Sequence, residues 1–352
     1  MIMEHVKEIA NAVLYEGYLL YPYRHSAIKN RQRWTIGIVY PREYSEANGA
    51  IEPWMMHTEC LISGGPDVSL DVIVRFLHLL VRTEVRPETA SAPSQAQIEA
   101  NEWGLASRLA NEPREEGVER EVSAQNLSLN ALLAQQQRIE IAFPAGRTVE
   151  PLSSPAPSGA TEIVREQQAV AGALIIGAEQ IGPELFKLTI QIENLTPDTA
   201  EVTGRFNAIF LRSFISTHAL LQVHGGKFIS LLEPPEELKE TVQGCKNVRT
   251  WPVLVGNEGE YDTMLSSPII LYDYPQIAPE SPGALFDGTE IDEILMLRIM
   301  TLSDEEKEQI KQGDEHARQI LERTESISPE QFMKLHGVIR SMQPSVEGEE
   351  HE

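Results

Sequence analysis

The stretch LFKLTIQIE, Leu185–Glu193, decides the fold. Phe186, Leu188, Ile190 and Ile192 alternate with Lys187, Thr189, Gln191 and Glu193. A period of two places the apolar set on one face of a pleated strand and the polar set on the other. One face buried and one face wet is the habit of antiparallel sheets. On the C-terminal side, Asn194-Leu195-Thr196-Pro197-Asp198 reads as a turn, and Phe206–Phe214 as a further strand. Ala219–Val223 and Phe228–Leu232 flank His224-Gly225-Gly226-Lys227, which reads as a hairpin with glycines at the positive-φ positions. On the N-terminal side, Val164–Ala178 reads as one strand region and Gln137–Phe143 as another. Between them, Thr148–Thr161 has the composition of a flexible linker. Short strands at regular spacing predict a mainly β (α+β) fold, an antiparallel β-sandwich body.

Further out, residues 4–15 carry Val6, Ile9, Ala10, Val13 and Leu14 at helical spacing. Trp34–Tyr40, Met55–Ile62 and Val68–Val81 read as strands. From Arg86 to about Asn126 strand signals vanish, although Gln95–Leu109 can form one amphipathic helix. Pro234–Val242 opens like a helix, Val248–Val255 reads as a strand, and Ile269–Tyr272 as a buried strand ended by Pro275. Pro275, Pro279 and Pro282 predict an ordered, extended loop from Tyr274 to Gly283. Capping boxes at Ser303–Glu306 and Ser328–Gln331 predict a helical tail. The chain thus divides into a β-rich region (1–85), an insertion or mobile loop (86–128), a sandwich-like domain with the Pro-rich loop (129–302), a helical tail (303–343) and a disordered acidic end (344–352).

Lys and Arg number 29 and Asp and Glu 53 among 352 residues, a net charge of −24. Such a surface repels phosphate backbones and anionic lipid and suits basic partners, so neither nucleic-acid binding nor a membrane span is expected. Neither a secretory leader nor a run of 18 apolar residues is legible, which predicts a cytoplasmic protein. Two cysteines, Cys60 and Cys245, are too few for a disulfide framework or a thiolate metal site. Cys245 lies near Lys246 and Arg249, the setting that lowers a thiol pKa, but no histidine–asparagine partnership is legible. The histidines in the strands, His57 and His78, show no metal spacing, and a lone strand histidine is usually structural.

Two polar clusters stand out. Asp273, Glu280, Asp287, Glu290, Asp292 and Glu293 sit around the stiff Pro-rich backbone. Of these, Asp273, Asp287, Glu290 and Asp292 are the candidate ligands for a hard cation, or an acid–base pair. The plainer alternative makes Asp287 a turn residue and leaves the others in water. Near the N-terminus, Tyr21, Tyr23, Arg24, Lys29, Arg31, Arg33 and Trp34 mix arginine with aromatic side chains, a candidate anion or partner site. Their alternative is pairing with the chain's own surplus carboxylates. His-Gly-Gly-Lys at 224–227 suits an oxyanion hole only beside a G-x-S-x-G elbow, which the sequence lacks. Phosphate-loop and dinucleotide glycine patterns are also missing, and no cofactor is expected.

Three segments, YEGYLLYPYRHSAIKNRQRW (Tyr15–Trp34), SLLEPPEEL (Ser230–Leu238) and SSPIILYDYPQIAPESPGALFDGTEIDEIL (Ser266–Leu295), resemble a bacterial family associated with gene clusters for uptake NiFe hydrogenases. The likeness spans both ends and the middle but not 86–160. No catalytic motif is assigned to that family, so the resemblance implies no active-site residue. It implies an accessory or scaffold role in hydrogenase assembly or maturation, through contacts with a hydrogenase subunit or maturation factor. The residues alone leave two rivals open: a metal-dependent enzyme or metal carrier using the 273–293 carboxylates, and a small-anion binder using Arg24–Arg33.

Overall fold

The computed structural model describes residues 4–15, 36–85, 114–152, 161–197, 208–276, 307 and 321–322. The chain divides into one unit over 1–276 and a second over 277–352. The described strands belong to the first unit and form a single ten-stranded sheet, antiparallel at every pairing. The mainly β reading is therefore correct. The helical tail and acidic end predicted over 303–352, and the loop beyond residue 276, lie outside the described residues apart from helical positions at 307 and 321–322.

The sheet is built on β1 (Met55–Val85), a strand of 31 residues. Drawn straight it would measure about 100 Å, against roughly 50 Å across a compact unit of this size. It must bend, and the pairing shows where. One edge of β1 pairs with β7 (Leu185–Asn194) over 55–63 and then with β2 (Arg114–Ser128) over 69–82. The other edge pairs with β8 (Ile215–Ile229) and then, over 80–85, with β5 (Glu162–Gln167). Between Gly64↔Gly226 and Ser69↔His224, four residues of β1 stand opposite Gly225 alone. This bulge turns both strands together. A Cβ on Gly64 would lie 2.6 Å from the Val68 side chain, and Gly225 has φ +74°. The glycines of His224-Gly225-Gly226-Lys227 thus serve a corner inside one continuous strand, not the hairpin that their spacing predicts. For the same reason Met55–Ile62 and Val68–Val81 are one strand.

Outside this spine, β6 (Val170–Gly182) pairs with β7 and with β3 (Gln137–Phe143), while β4 (Gly146–Pro151) pairs with β5. On the β8 side follow β10 (Thr263–Ser267) and β9 (Trp251–Leu254). The curled sheet closes on a core to which the even positions of β7 (Phe186, Leu188, Ile190, Ile192) contribute, as their alternation predicts. Val72, Val74 and Phe76 of β1 and Leu174 and Ile176 of β6 join them. Phe76 lies 4.4 Å from Phe214 and 5.9 Å from Phe143, centroid to centroid. Gly172 makes room for Phe214: a Cβ there would meet the Glu193 carbonyl at 2.2 Å. The helix α1 (Glu4–Tyr15) packs on β8 and β1 and buries Val6, Ile9, Ala10, Val13 and Leu14, all five positions that its periodicity singles out.

Other expectations are corrected. The insertion or loop read over 86–128 contains β2 at its end, hidden because Arg114–Glu121 is charged on both faces; residues 86–113 lie outside the described part. The region Val164–Ala178 is two strands, broken after Gln167. The linker read from Thr148 begins inside β4, and residues 153–160 are not described. Phe206–Phe214 is no strand where described: Phe210–Arg212 is one 3-10 turn, and only Phe214 bridges, to Val39. That bridge is what remains of the strand predicted over Trp34–Tyr40. The segment Pro234–Val242 holds a 3-10 turn, Glu236–Leu238, followed by α4, as α2 (Arg42–Ala47) and α3 (Leu129–Ala134) precede it; α4 spans Lys239–Gln243. No helix among the described residues is long and apolar enough to cross a membrane.

Candidate functional site

The last strand of the sheet, β9, has an outer edge closed by side chains. Asp273 is the one candidate metal ligand that the structure describes, and it performs this closure. Its Oδ1 accepts the Leu254 N–H at 2.8 Å and its Oδ2 accepts the Ser230 hydroxyl at 2.5 Å. Ser230 Oγ in turn accepts the backbone N–H groups of Leu232 and Glu233. Tyr274, held at φ +55°, donates its N–H to the Leu254 carbonyl at 2.7 Å and its hydroxyl to the Glu260 carbonyl at 2.8 Å. Asp273 and Tyr274 thus imitate one rung of another strand and satisfy the outward N–H and C=O of Leu254. The candidates Asp287, Glu290 and Asp292 lie outside the described residues, as do Tyr21, Tyr23, Arg24, Lys29, Arg31, Arg33 and Trp34. Among the described residues no three His, Cys, Asp or Glu side chains converge as a metal centre requires.

A second edge is closed by the same device. Beside β1, Val248 exchanges backbone hydrogen bonds with His57. One step on, the Asn247 side chain takes over: its Oδ1 accepts the Glu59 N–H at 2.9 Å, and its Nδ2 donates to the Glu59 carbonyl at 3.2 Å. An amide side chain carries the donor and acceptor of a peptide group, so it substitutes for one rung of ladder. The Glu59 carboxylate returns the contact, accepting the Lys246 N–H at 2.8 Å and lying 3.2 Å from His57 Nε2. Gln191 of β7 reaches the other ring nitrogen at 3.1 Å. Burial pushes the Glu59 pKa up, but the Lys246 N–H and His57 outweigh it and hold it below the usual range. Cys245, in the same loop, goes the other way from the sequence expectation: burial, then the Glu59 charge, push its thiol up. Lys187 lowers it only in part. Proximity in sequence to Lys246 and Arg249 does not make it a reactive thiolate, because burial and then the Glu59 charge disfavour the anion. His224 of the glycine corner pairs with Asp71 at 3.0 Å, and Asp71 also accepts the Asn126 N–H, so this histidine ties β8, β1 and β2 together.

Near these closures several large apolar side chains are exposed. Arg249, at φ +61°, brings its guanidinium to within 3.5 Å of the Ile51 carbonyl, and Trp251 stands opposite Ser267 in the β9–β10 register. The segments around residues 51 and 248–251 therefore meet, and the latter runs beside Ser267, the last residue of β10. Together with the residues after Ser267 they present Ile51 (75% exposed), Val248, Trp251, Ile270 (75%) and Tyr272 (86%) to solvent. Ile270 and Tyr272 were expected inside a buried strand; the strand is β10, ending at Ser267, and the chain leaves the sheet at Pro268. Sequence reading missed this surface because Ile269–Tyr272 is apolar enough to pass for core. No protein-family model matches the chain, and no curated protein matches it at a significant level.

Proposed function

We propose that this protein is a non-enzymatic accessory protein that docks another protein, a NiFe hydrogenase subunit or maturation factor, in the cytoplasm. The observation that supports docking is the exposed set Ile51, Val248, Trp251, Ile270 and Tyr272 beside Arg249. Exposed Trp, Tyr and Arg on a rigid support are the residues that dominate protein–protein binding energy. The support is rigid here because Asp273 and Tyr274 pin the segment to Leu254. The hydrogenase assignment rests on the resemblance of Tyr15–Trp34, Ser230–Leu238 and Ser266–Leu295, the last of which contains Ile270 and Tyr272. An acidic chain of net charge −24 disfavours nucleic acid as the partner.

Affinity purification from a hydrogenase-expressing strain is the test. Wild type should retain a hydrogenase subunit or maturation factor, and the double variant Trp251→Ala, Tyr272→Ala should lose it, with affinity falling about thirtyfold or more, as a hot-spot loss implies. Recovery of neither class of protein by wild type, or equal recovery by the variant, removes the proposal.

A further inference from the structure

Four strands of the sheet, β2, β3, β4 and β9, have a partner on one side only. An unpaired edge offers its N–H and C=O groups to any passing strand, and folded chains blunt such edges with charge, proline or covering side chains. Three of the four are blunted. Strand β2 is charged on both faces over Arg114–Glu121, and β4 is exposed throughout and ends at Pro151. Strand β9 carries Pro252 and is capped at Leu254 by Asp273 and Tyr274. The edge of β3, Gln137–Phe143, has none of these devices. It has no proline, and among the described residues only β6 pairs with its backbone. Ile139 and Phe143 pack against the margin of the core and stay half-buried. On the other face Arg138 and Glu140 are exposed. Arg138 approaches Glu193 at 3.6 Å, and Glu140 has no ion pair among the described residues.

These two charges select a partner. Copies of one strand that pair edge to edge about a two-fold axis run antiparallel, and the symmetry centres their register on a single residue. Centring on Arg138 or on Glu140 sets like charges directly opposite each other, which destabilises a sheet. Centring on Ile141 sets Arg138 opposite Pro144, which has no N–H for a ladder. Centring on Ile139 sets Arg138 opposite Glu140 on both sides of the axis, and Ile139 against its own copy on the core side. We propose that β3 is a dimerisation edge: it joins β3 of a second copy in this register, so that one sheet runs through both molecules. Gln137–Ile141 of each copy forms the ladder. A contact this short lies far below the roughly 20–30 residues a side of a standard interface, so the dimer forms reversibly and at high protein concentration. Strands β3 and β9 stand at opposite ends of the strand order, and the dimer contact does not use Trp251.

Sedimentation equilibrium of the full chain tests this, in about 0.15 M salt to screen the long-range repulsion between two bodies of charge −24. The average mass should rise from 39.3 kDa towards twice that value as protein concentration rises from about 1 to about 500 μM, the range in which a small interface fills. Arg138→Glu alone, and Glu140→Arg alone, put like charges opposite each other in both rungs and should each weaken the dimer about tenfold or more. The double variant Arg138→Glu, Glu140→Arg restores both pairs with their signs exchanged and should dimerise as wild type does. Circular dichroism checks that each variant is folded. A mass of 39.3 kDa at every concentration overturns the inference. Undiminished dimerisation of either single variant overturns it too, since the contact then lies elsewhere, as does a folded double variant that stays monomeric.

Discussion

At the scale of single residues, the chain assigns its polar side chains to closing what the backbone leaves open. Asp273 shows the cost of removing one. Asp273→Ala strands the buried Leu254 N–H and takes the acceptor from Ser230, a loss of about 2–4 kcal/mol by urea denaturation, since stranded buried groups each cost about 1–3 kcal/mol. Asp273→Asn keeps one acceptor and should cost less than half as much. If Asp273 instead served only a cation, both changes would leave the urea midpoint of metal-free protein unmoved. His78 gives a pH dependence. Burial, then the Arg120 charge, push its pKa down to about 4 from the ordinary value near 6.5. The unfolded chain therefore binds the proton first, and stability is lost as pH falls from about 6.5 to about 4. The loss at pH 4.5 is about 2–3 kcal/mol for this one group. His78→Leu should remove that part of the slope between pH 7 and 4.5, measured as the difference from wild type so that the carboxylates cancel. A parallel pair of curves would show that His78 titrates normally. Asp273 was legible in the sequence as a residue in a stiff loop, but not its partners, Ser230 and Leu254, because nothing local encodes a contact 43 or 19 residues away.

At the scale of elements, alternation was a reliable guide where one face is wet. Strand β7 repeats buried and half-buried residues without a break, and the sequence shows it. Strand β8 is buried from Ile215 to Leu221 on both faces, because it lines the core and helix α1 packs against it as well, so no alternation marks it as one strand. The glycine corner is the decisive element. Turn residues in sequence announce a change of direction but not its size, and Gly225–Gly226 changes direction by a bulge where a hairpin was expected. Gly226→Val should be severely destabilising. Its Cβ would lie 2.9 Å from the Ser63 carbonyl and 3.1 Å from Val68, on a strand pair with no room to separate. Overpacking of this kind costs about 1–3 kcal/mol, and a backbone clash adds to it. Gly49→Ala meets nothing within 4 Å and costs only its positive φ, so it serves as the control in the same thermal melts.

At the scale of the whole molecule, a net charge of −24 sets the range over which partners are drawn in. Association with a basic partner should slow as salt rises from 50 to 500 mM, with dissociation changing little, because exposed charges beyond the screening length stop acting while the apolar contact persists. Stopped-flow or surface-binding kinetics with the recovered partner would show this; a salt-independent association rate would mean that charge plays no steering part. What the sequence alone determined is the class of fold and the faces of its regular strands and first helix, since burial periodicity is local and the hydrophobic effect acts on each residue's own side chain. What only the tertiary structure decided is how the strands join: that β1 serves four neighbours along two edges, that its glycines bend rather than turn, and that Ile270 and Tyr272 lie outside. Those outcomes depend on register and on edge closure, which are set by distant backbone meeting distant backbone, and no window of sequence contains both halves of such a contact.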